Sequence, residues 1–312
     1  MANSKYILGM DIGGTNVRMG LIDDAYTLHC FTRVSTESVF TNDQPGKGLS
    51  SIINNYLQEN DAKEDVTSIS IGFPSTLDKE RKTILSTPNI PILQNIPIVD
   101  LISKEIDLPI YINRDVNLLM FYDLHTKKIP TKGTTIGYYF GTGVGNVILI
   151  NGEILNGRNG VAAELGHIPI LNDTTRCNCG NIGCLENYSS GKYLVELAES
   201  EFPDTLINCV FIEHATHPKV LQFIEYLAVA VAIEATLFDP EYIILGGGIL
   251  QMPNFPKQFL EKRIRDRTRK PFPSENLRFI YSQQTQENGV IGAGIYAYQQ
   301  MKGQKRNEDS NS

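Results

Sequence analysis

The sequence predicts an α/β protein built of two similar lobes, and three observations carry that prediction. The chain opens with apolar strands separated by glycine- and aspartate-rich turns. "YILGMDIGG" (6–14), "NVRMGLIDD" (16–24) and "LHCFTRV" (28–34) form an antiparallel meander. The stretch "TTIGYYFGTGVGNVILINGEIL" (134–155) then repeats the plan of strand, glycine-rich turn, strand, Asn-Gly turn and strand. A shift of 130 residues lays Gly13 on Gly143, Asn16 on Asn146 and Val17 on Val147, the mark of a duplicated unit. Helix-like and strand-like stretches alternate between and after the two meanders.

In chain order, "GLSSIINNYLQEN" (48–60) has a helical pattern, "VTSISIGFP" (66–74) that of a strand, "IVDLISKEID" (98–107) a helix and "PIYIN" (109–113) a short strand. The second half adds a long apolar helix over 220–240, the strand "YIILGGG" (242–248) and a last helix over 290–301. The final helix is expected to return to the first lobe. The expected division is therefore residues 1–112 plus about 290–302 in one lobe and 113–289 in the other. A polar tail, "KGQKRNEDSNS", is expected to be disordered over 303–312.

A chain of 312 residues has room for a substantial core, and 41% hydrophobic with 20% charged residues is ordinary for a globular protein. The net charge of −7 argues against a nucleic-acid partner, which usually requires a basic face. There is no run of 18 or more apolar residues and no signal-peptide core, so neither a membrane span nor export is expected. Cys30 and Cys209 stand alone while three cysteines cluster, which suits a reduced, cytoplasmic setting with a metal site better than a disulfide framework.

Two glycine-rich turns are candidate phosphate cradles. One comprises Asp11, Gly13, Gly14, Thr15 and Asn16, the other Gly141, Thr142 and Gly143. Glycine lets backbone N–H groups approach an anion with no Cβ in the way. The alternative is a hairpin that merely needs positive φ. A dinucleotide fingerprint fails, because G-x-G-x-G at 141–145 runs into a strand; a P-loop fails, because no G-K-[ST] triplet exists. A third cluster, Gly246 to Gly248, follows a strand. Asp11 beside phosphates would need a cation between them, which suggests Mg²⁺; the alternative is a turn or capping aspartate.

His167, Cys177, Cys179 and Cys184 form a Cys₃His set with spacing H-x₉-C-x-C-x₄-C. Four protein ligands close a tetrahedral site, so a structural Zn²⁺ is expected rather than a catalytic one. Structural zinc contributes roughly 10–16 kcal/mol in small peptides, ample to fix a loop poor in apolar residues. In "INRDVN" (112–117), Asp115 follows a strand end, where α/β folds expose functional groups, or where an Asp simply caps a helix. The protein-kinase loop H-R-D-x-x-x-x-N does not match, since the residue five after Asp115 is Met120.

Taken together, "DIGGT", "GTGVG", the Gly-His…Cys-x-Cys-Gly-x-x-Gly-Cys-x-Glu stretch and "FDPEYIILGGG" resemble the ROK family (repressors, ORFs and sugar kinases) of the actin-like ATPase superfamily, over about residues 6 to 298. The resemblance implies two ribonuclease-H-like lobes around a central cleft, and phosphorylation of a hexose 6-hydroxyl by ATP with Mg²⁺. It implies Asp115 as general base, Glu164, His167 and Glu186 as sugar contacts, and Asn89 and the turn around Pro74 as further sugar neighbours. Gly246 and Gly247 fall at the adenosine end. Surface ion pairing remains the alternative role for Glu164 and Glu186. Glucose-phosphorylating members resemble Asn-Asp where this chain has Arg114-Asp115, so Arg114 is expected to read a different hydroxyl pattern. Among subgroups the resemblance is greatest to kinases of D-allose, with glucose, fructose, mannose and N-acetylhexosamines as alternatives. The family also implies a homodimer, and it includes sugar-responsive repressors with an added helix-turn-helix. Here the first strand begins at about residue 6, so no such domain is expected. A sugar sensor without turnover is a further alternative.

Overall fold

The duplicated strand plan is realised in two five-stranded sheets of the same topology. The computed structural model describes residues 5–41, 44–87, 90–283 and 285–310. It divides into unit 1, residues 1–129, 156–162 and 285–312, and unit 2, residues 130–155 and 163–284.

Unit 1 begins with β1 (Tyr6–Ile12), β2 (Asn16–Ile22) and β3 (Leu28–Ser35), the predicted meander. Two helices, α1 (Thr36–Val39) and α2 (Pro45–Glu59), lead to β4 (Val66–Phe73), which pairs parallel to β1. A small hairpin, β5 (Thr76–Leu77) with β6 (Ile84–Ser86), and α3 (Ile98–Ile102) precede β7 (Ile110–Arg114) and α4 (Asp115–Thr126). The sheet order is β3-β2-β1-β4-β7. Leu8, Met10 and Ile12 on β1, Ile69 and Ile71 on β4 and Leu49 and Ile53 on α2 close one core.

Unit 2 repeats the order with β8 (Thr134–Phe140), β9 (Val144–Ile150) and β10 (Glu153–Ile154). Next come α5 (Glu186–Ser189), α6 (Gly191–Glu201), α7 (Val210–Glu213) and α8 (Pro218–Phe238). The parallel strands β11 (Tyr242–Gly246) and β12 (Phe279–Tyr281) flank α9 (Lys257–Arg267), giving the order β10-β9-β8-β11-β12. Pro218 in the first turn starts α8, and Asp239, at φ 45, with Pro240 behind it, ends it. By length and apolarity α8 would suit a membrane span, yet it is a core helix that buries Phe223, Leu227 and Val231 and carries a buried Glu234.

Three sequence expectations are corrected. The division falls at 129/130, not 112/113, because α4 packs on the returning helix α10 (Asn288–Ser310). That crossing is close: a Cβ on Gly292 would stand 2.1 Å from the Leu118 carbonyl oxygen. Residues 156–162 also belong to unit 1, where Arg81 donates to Asn156 and Arg114 donates to the Ala162 carbonyl at 3.2 Å. Of the disorder expected over 303–312, residues 303–310 are helix, a run in which Gln, Lys, Arg and Glu favour that state, and residues 311–312 lie outside the described residues.

Candidate active site

In unit 1 the turn between β1 and β2 is tight: the Gly13 N–H donates to the Asn16 carbonyl at 2.8 Å. Thr36, the first residue of α1, holds the turn from one side. Its N–H donates to the Thr15 carbonyl at 3.0 Å and its hydroxyl to the Gly13 carbonyl at 2.7 Å. The Gly14 and Thr15 N–H groups donate to no described residue.

The second turn is built alike in unit 2. The Gly141 N–H donates to the Gly143 carbonyl at 3.0 Å, and the first N–H groups of α6 hold the turn's carbonyls. Gly191 donates to Gly141 at 2.8 Å and Lys192 to Thr142 at 3.3 Å. The Thr142 and Gly143 N–H groups donate to no described residue. Two consecutive unpaired amides on a turn whose carbonyls are held elsewhere make an anion-binding concavity. None of Gly13, Gly14, Gly141 or Gly143 has a positive φ, so the simple hairpin explanation for these glycines does not apply. Gly247 is different: at φ 97 its Cβ would stand 2.1 Å from the Phe140 carbonyl oxygen, so only glycine lets β11's end lie against the strand that leads into the second turn. A Cβ at Gly246 would stand 2.8 Å from the Tyr139 ring.

Asp11 and Asp115 come together in unit 1. Gly72 on β4 separates them: its Cβ would lie 3.6 Å from Asp11 Oδ1 and 3.5 Å from Asp115 Cα. Gly289, at the start of α10, clears the other side, with a Cβ position 2.6 Å from Asp11 Cγ. Burial holds the Asp11 carboxyl above its ordinary value, and the Arg18 guanidinium, 3.3 Å away, pulls it down. Arg18 was not foreseen. It is the cross-strand partner of Asp11 in the β1–β2 register, which a known hairpin length would have revealed. The cation demanded by Asp11 is thus in part an arginine, and the carboxylate remains a suitable Mg²⁺ donor.

Asp115 is the first helical residue of α4; its Oδ1 accepts its neighbour Val116's N–H at 2.8 Å. The entry to that helix is organised by Asn113, also unforeseen, whose Oδ1 accepts from the Arg114 N–H at 2.9 Å and the Asn117 side chain at 2.7 Å. Arg114, the residue before the helix, spends one N–H on the Ala162 carbonyl. Asn89 lies outside the described residues.

In unit 2 the ligand atoms of His167, Cys177, Cys179 and Cys184 all lie within 4.8 Å of one another. Tetrahedral zinc with Zn–S of about 2.3 Å and Zn–N of about 2.1 Å requires ligand–ligand edges of about 3.6–3.8 Å. Cys177 Sγ lies 3.6 Å from His167 Nδ1, and Cys179 Sγ lies 3.7 Å from Cys184 Sγ, so the donor set fits. Burial pushes the Cys184 thiol up to about 12 and raises Cys177, so a cation is what would make these thiolates. His167 presents Nδ1 to the sulfurs, and its Nε2 lies 3.8 Å from Glu164 Oε2. Gly180 and Gly183, at φ 93 and 74, make the loop's tight turns. Glu186 is held by backbone: its Oε2 accepts the Val144 N–H at 2.8 Å.

Glycine turns with unpaired amides at equivalent hairpins of two duplicated α/β units, with Asp11 and Asp115 brought together in the first, are features of the actin-like ATPase fold. The chain belongs to the ROK family, whose sequence profile matches residues 7–300. It is 30% identical over 275 residues to an N-acetyl-D-glucosamine kinase of Yersinia pseudotuberculosis, covering 82% of this chain and 88% of that one. A ROK family glucokinase from Streptomyces griseus, solved in complex with glucose and AMPPNP, is 26% identical with a TM-score of 0.75 over 94% of this chain and 99% of that one. A ROK family transcriptional regulator, homolog of the E. coli MLC protein, is 25% identical with a TM-score of 0.80 over 94% and 77%. The chain has the family's mixed α/β fold and is similar in sequence to sugar kinases within it.

Proposed function

We propose that the protein transfers the γ-phosphoryl group of ATP to the 6-hydroxyl of a hexose. Asp115 takes the hydroxyl proton as that oxygen attacks phosphorus, and ADP leaves. Positioning and charge neutralisation dominate such a transfer, and a general base contributes about 10²–10⁴ in rate. The observation that carries this is the matched pair of turns, each with two consecutive amides unpaired among the described residues. Asp11 would hold Mg²⁺, which neutralises phosphate charge when bound. His167, Cys177, Cys179 and Cys184 would hold zinc, which clamps the loop carrying Glu164, His167 and Glu186 as sugar contacts.

N-acetyl-D-glucosamine is the first sugar to test, because the Yersinia pseudotuberculosis relative is named for it. D-allose is the second, favoured by Arg114 where glucose-phosphorylating members resemble Asn. A coupled ADP-release assay over N-acetyl-D-glucosamine, D-allose, glucose, mannose and fructose is expected to show stimulation by at least one hexose. A chain that binds these sugars yet releases no ADP with any of them is a sensor and not a kinase.

A further inference from the structure

Glu186 stands two residues after Cys184 and opens α5. Its side chain occupies a slot that two glycines clear. A Cβ at Gly143, in the second glycine turn, would stand 2.7 Å from Glu186 Oε2. A Cβ at Gly166, the neighbour of His167, would stand 3.3 Å from Glu186 Cβ and 3.4 Å from Oε2. In that slot the carboxylate accepts the Val144 N–H at 2.8 Å, immediately beyond the turn. The opposite side of the turn is held by α6 through the Gly141 and Thr142 carbonyls. The two amides left unpaired among the described residues, those of Thr142 and Gly143, thus lie on a backbone fixed at both flanks.

We propose that Glu186 is a positioning residue that ties the geometry of the second glycine turn to the Cys/His loop. The proposal rests on the assignment of that turn to the phosphates of a nucleotide. A sugar contact uses Glu186 from the substrate side; the bond to Val144 gives it a second duty toward the nucleotide. Loosening of the Cys/His loop then weakens nucleotide binding even with no sugar present.

The test combines hydrogen exchange at residues 141–145 with titration of ADP in the absence of sugar, on the full-length protein. Glu186→Gln keeps an oxygen that accepts the Val144 N–H, so it is expected to retain slow exchange and bind ADP within about two-fold of wild type. Glu186→Ala loses that acceptor and is expected to exchange faster at Val144 and to bind ADP about ten-fold more weakly. Removal of zinc from the wild-type protein by a chelator is expected to speed exchange at the same residues, which reads the link without any substitution. Unchanged exchange at Val144 in Glu186→Ala overturns the proposal, as does an ADP affinity lost equally in the Gln and Ala variants. Exchange that responds as expected, in a wild-type protein that binds no ADP, supports the tie and contradicts the assignment of the turn to nucleotide.

Discussion

The Arg18 guanidinium lies 3.3 Å from the Asp11 carboxylate across the β1–β2 pair, with only 22% and 19% of the two side chains exposed. Removing one member leaves a largely buried charge without its counterion. Arg18→Met is expected to cost about 1–3 kcal/mol of stability, and Asp11→Asn in the same chain to recover most of it. Urea denaturation of the two variants measures this. Equal losses in the single and double variants would show that the pair is not coupled.

Gly141 and Gly247 separate function from structure among the glycines. A Cβ at Gly141 meets nothing within 4 Å, whereas one at Gly247 meets Phe140 backbone at 2.1 Å with φ at 97. Gly141→Ala is expected to melt within a few degrees of wild type while raising the KM for ATP about ten-fold or more. Gly247→Ala is expected to fold poorly or lose about 3 kcal/mol or more. Comparable effects on melting would refute the distinction.

The buried Glu234 makes stability depend on pH. It is 6% exposed and accepts from the Asn146 side chain at 2.9 Å, and burial pushes its pKa up to about 7 from 4.5. The folded state therefore holds a proton that the unfolded chain releases between those values. The stability contributed is fully present below pH 4.5 and is lost as pH rises through 7. At pH 8, Glu234→Gln is expected to be more stable than wild type by about 3 kcal/mol, with the difference vanishing near pH 4.5. Denaturant melts across that range check it, and a pH-independent difference would assign the effect to packing.

The Cys/His cluster predicts about one zinc per chain on metal analysis. Cys184→Ser, at a fully buried ligand position, is expected to lose most of it and to lower the melting temperature. A wild-type protein without metal, whose three clustered thiols react at once with a thiol reagent, would contradict the assignment.

Features encoded locally were legible in the sequence. The Cys/His spacing turned on short turns at Gly180 and Gly183 and was legible, as were the two meanders. The expected 130-residue shift is corrected: β1 and β2 match β8 and β9 at a shift of 128, which lays Gly13 on Gly141 rather than Gly143. What escaped depends on contacts between distant residues. The boundary after Ile129 follows from Gly292 meeting Leu118, far apart in sequence, and no local pattern reports such a crossing. The helix expected over 98–107 stops at Ile102, although Ile106 beyond it is buried in the same core as Ile98 and Ile102. Arg18 needed the hairpin register, and the bond from Val144 to Glu186 spans 42 residues.

Asp115 as general base is the claim on which the kinase chemistry rests most directly. It is tested by sugar-stimulated ADP release in Asp115→Asn, whose retained side-chain oxygen can still accept the Val116 N–H. A fall in kcat of about 10²-fold or more, with unchanged melting temperature and sugar affinity within a few-fold, is the expected result. A variant that phosphorylates its hexose at a rate within two-fold of wild type would contradict it.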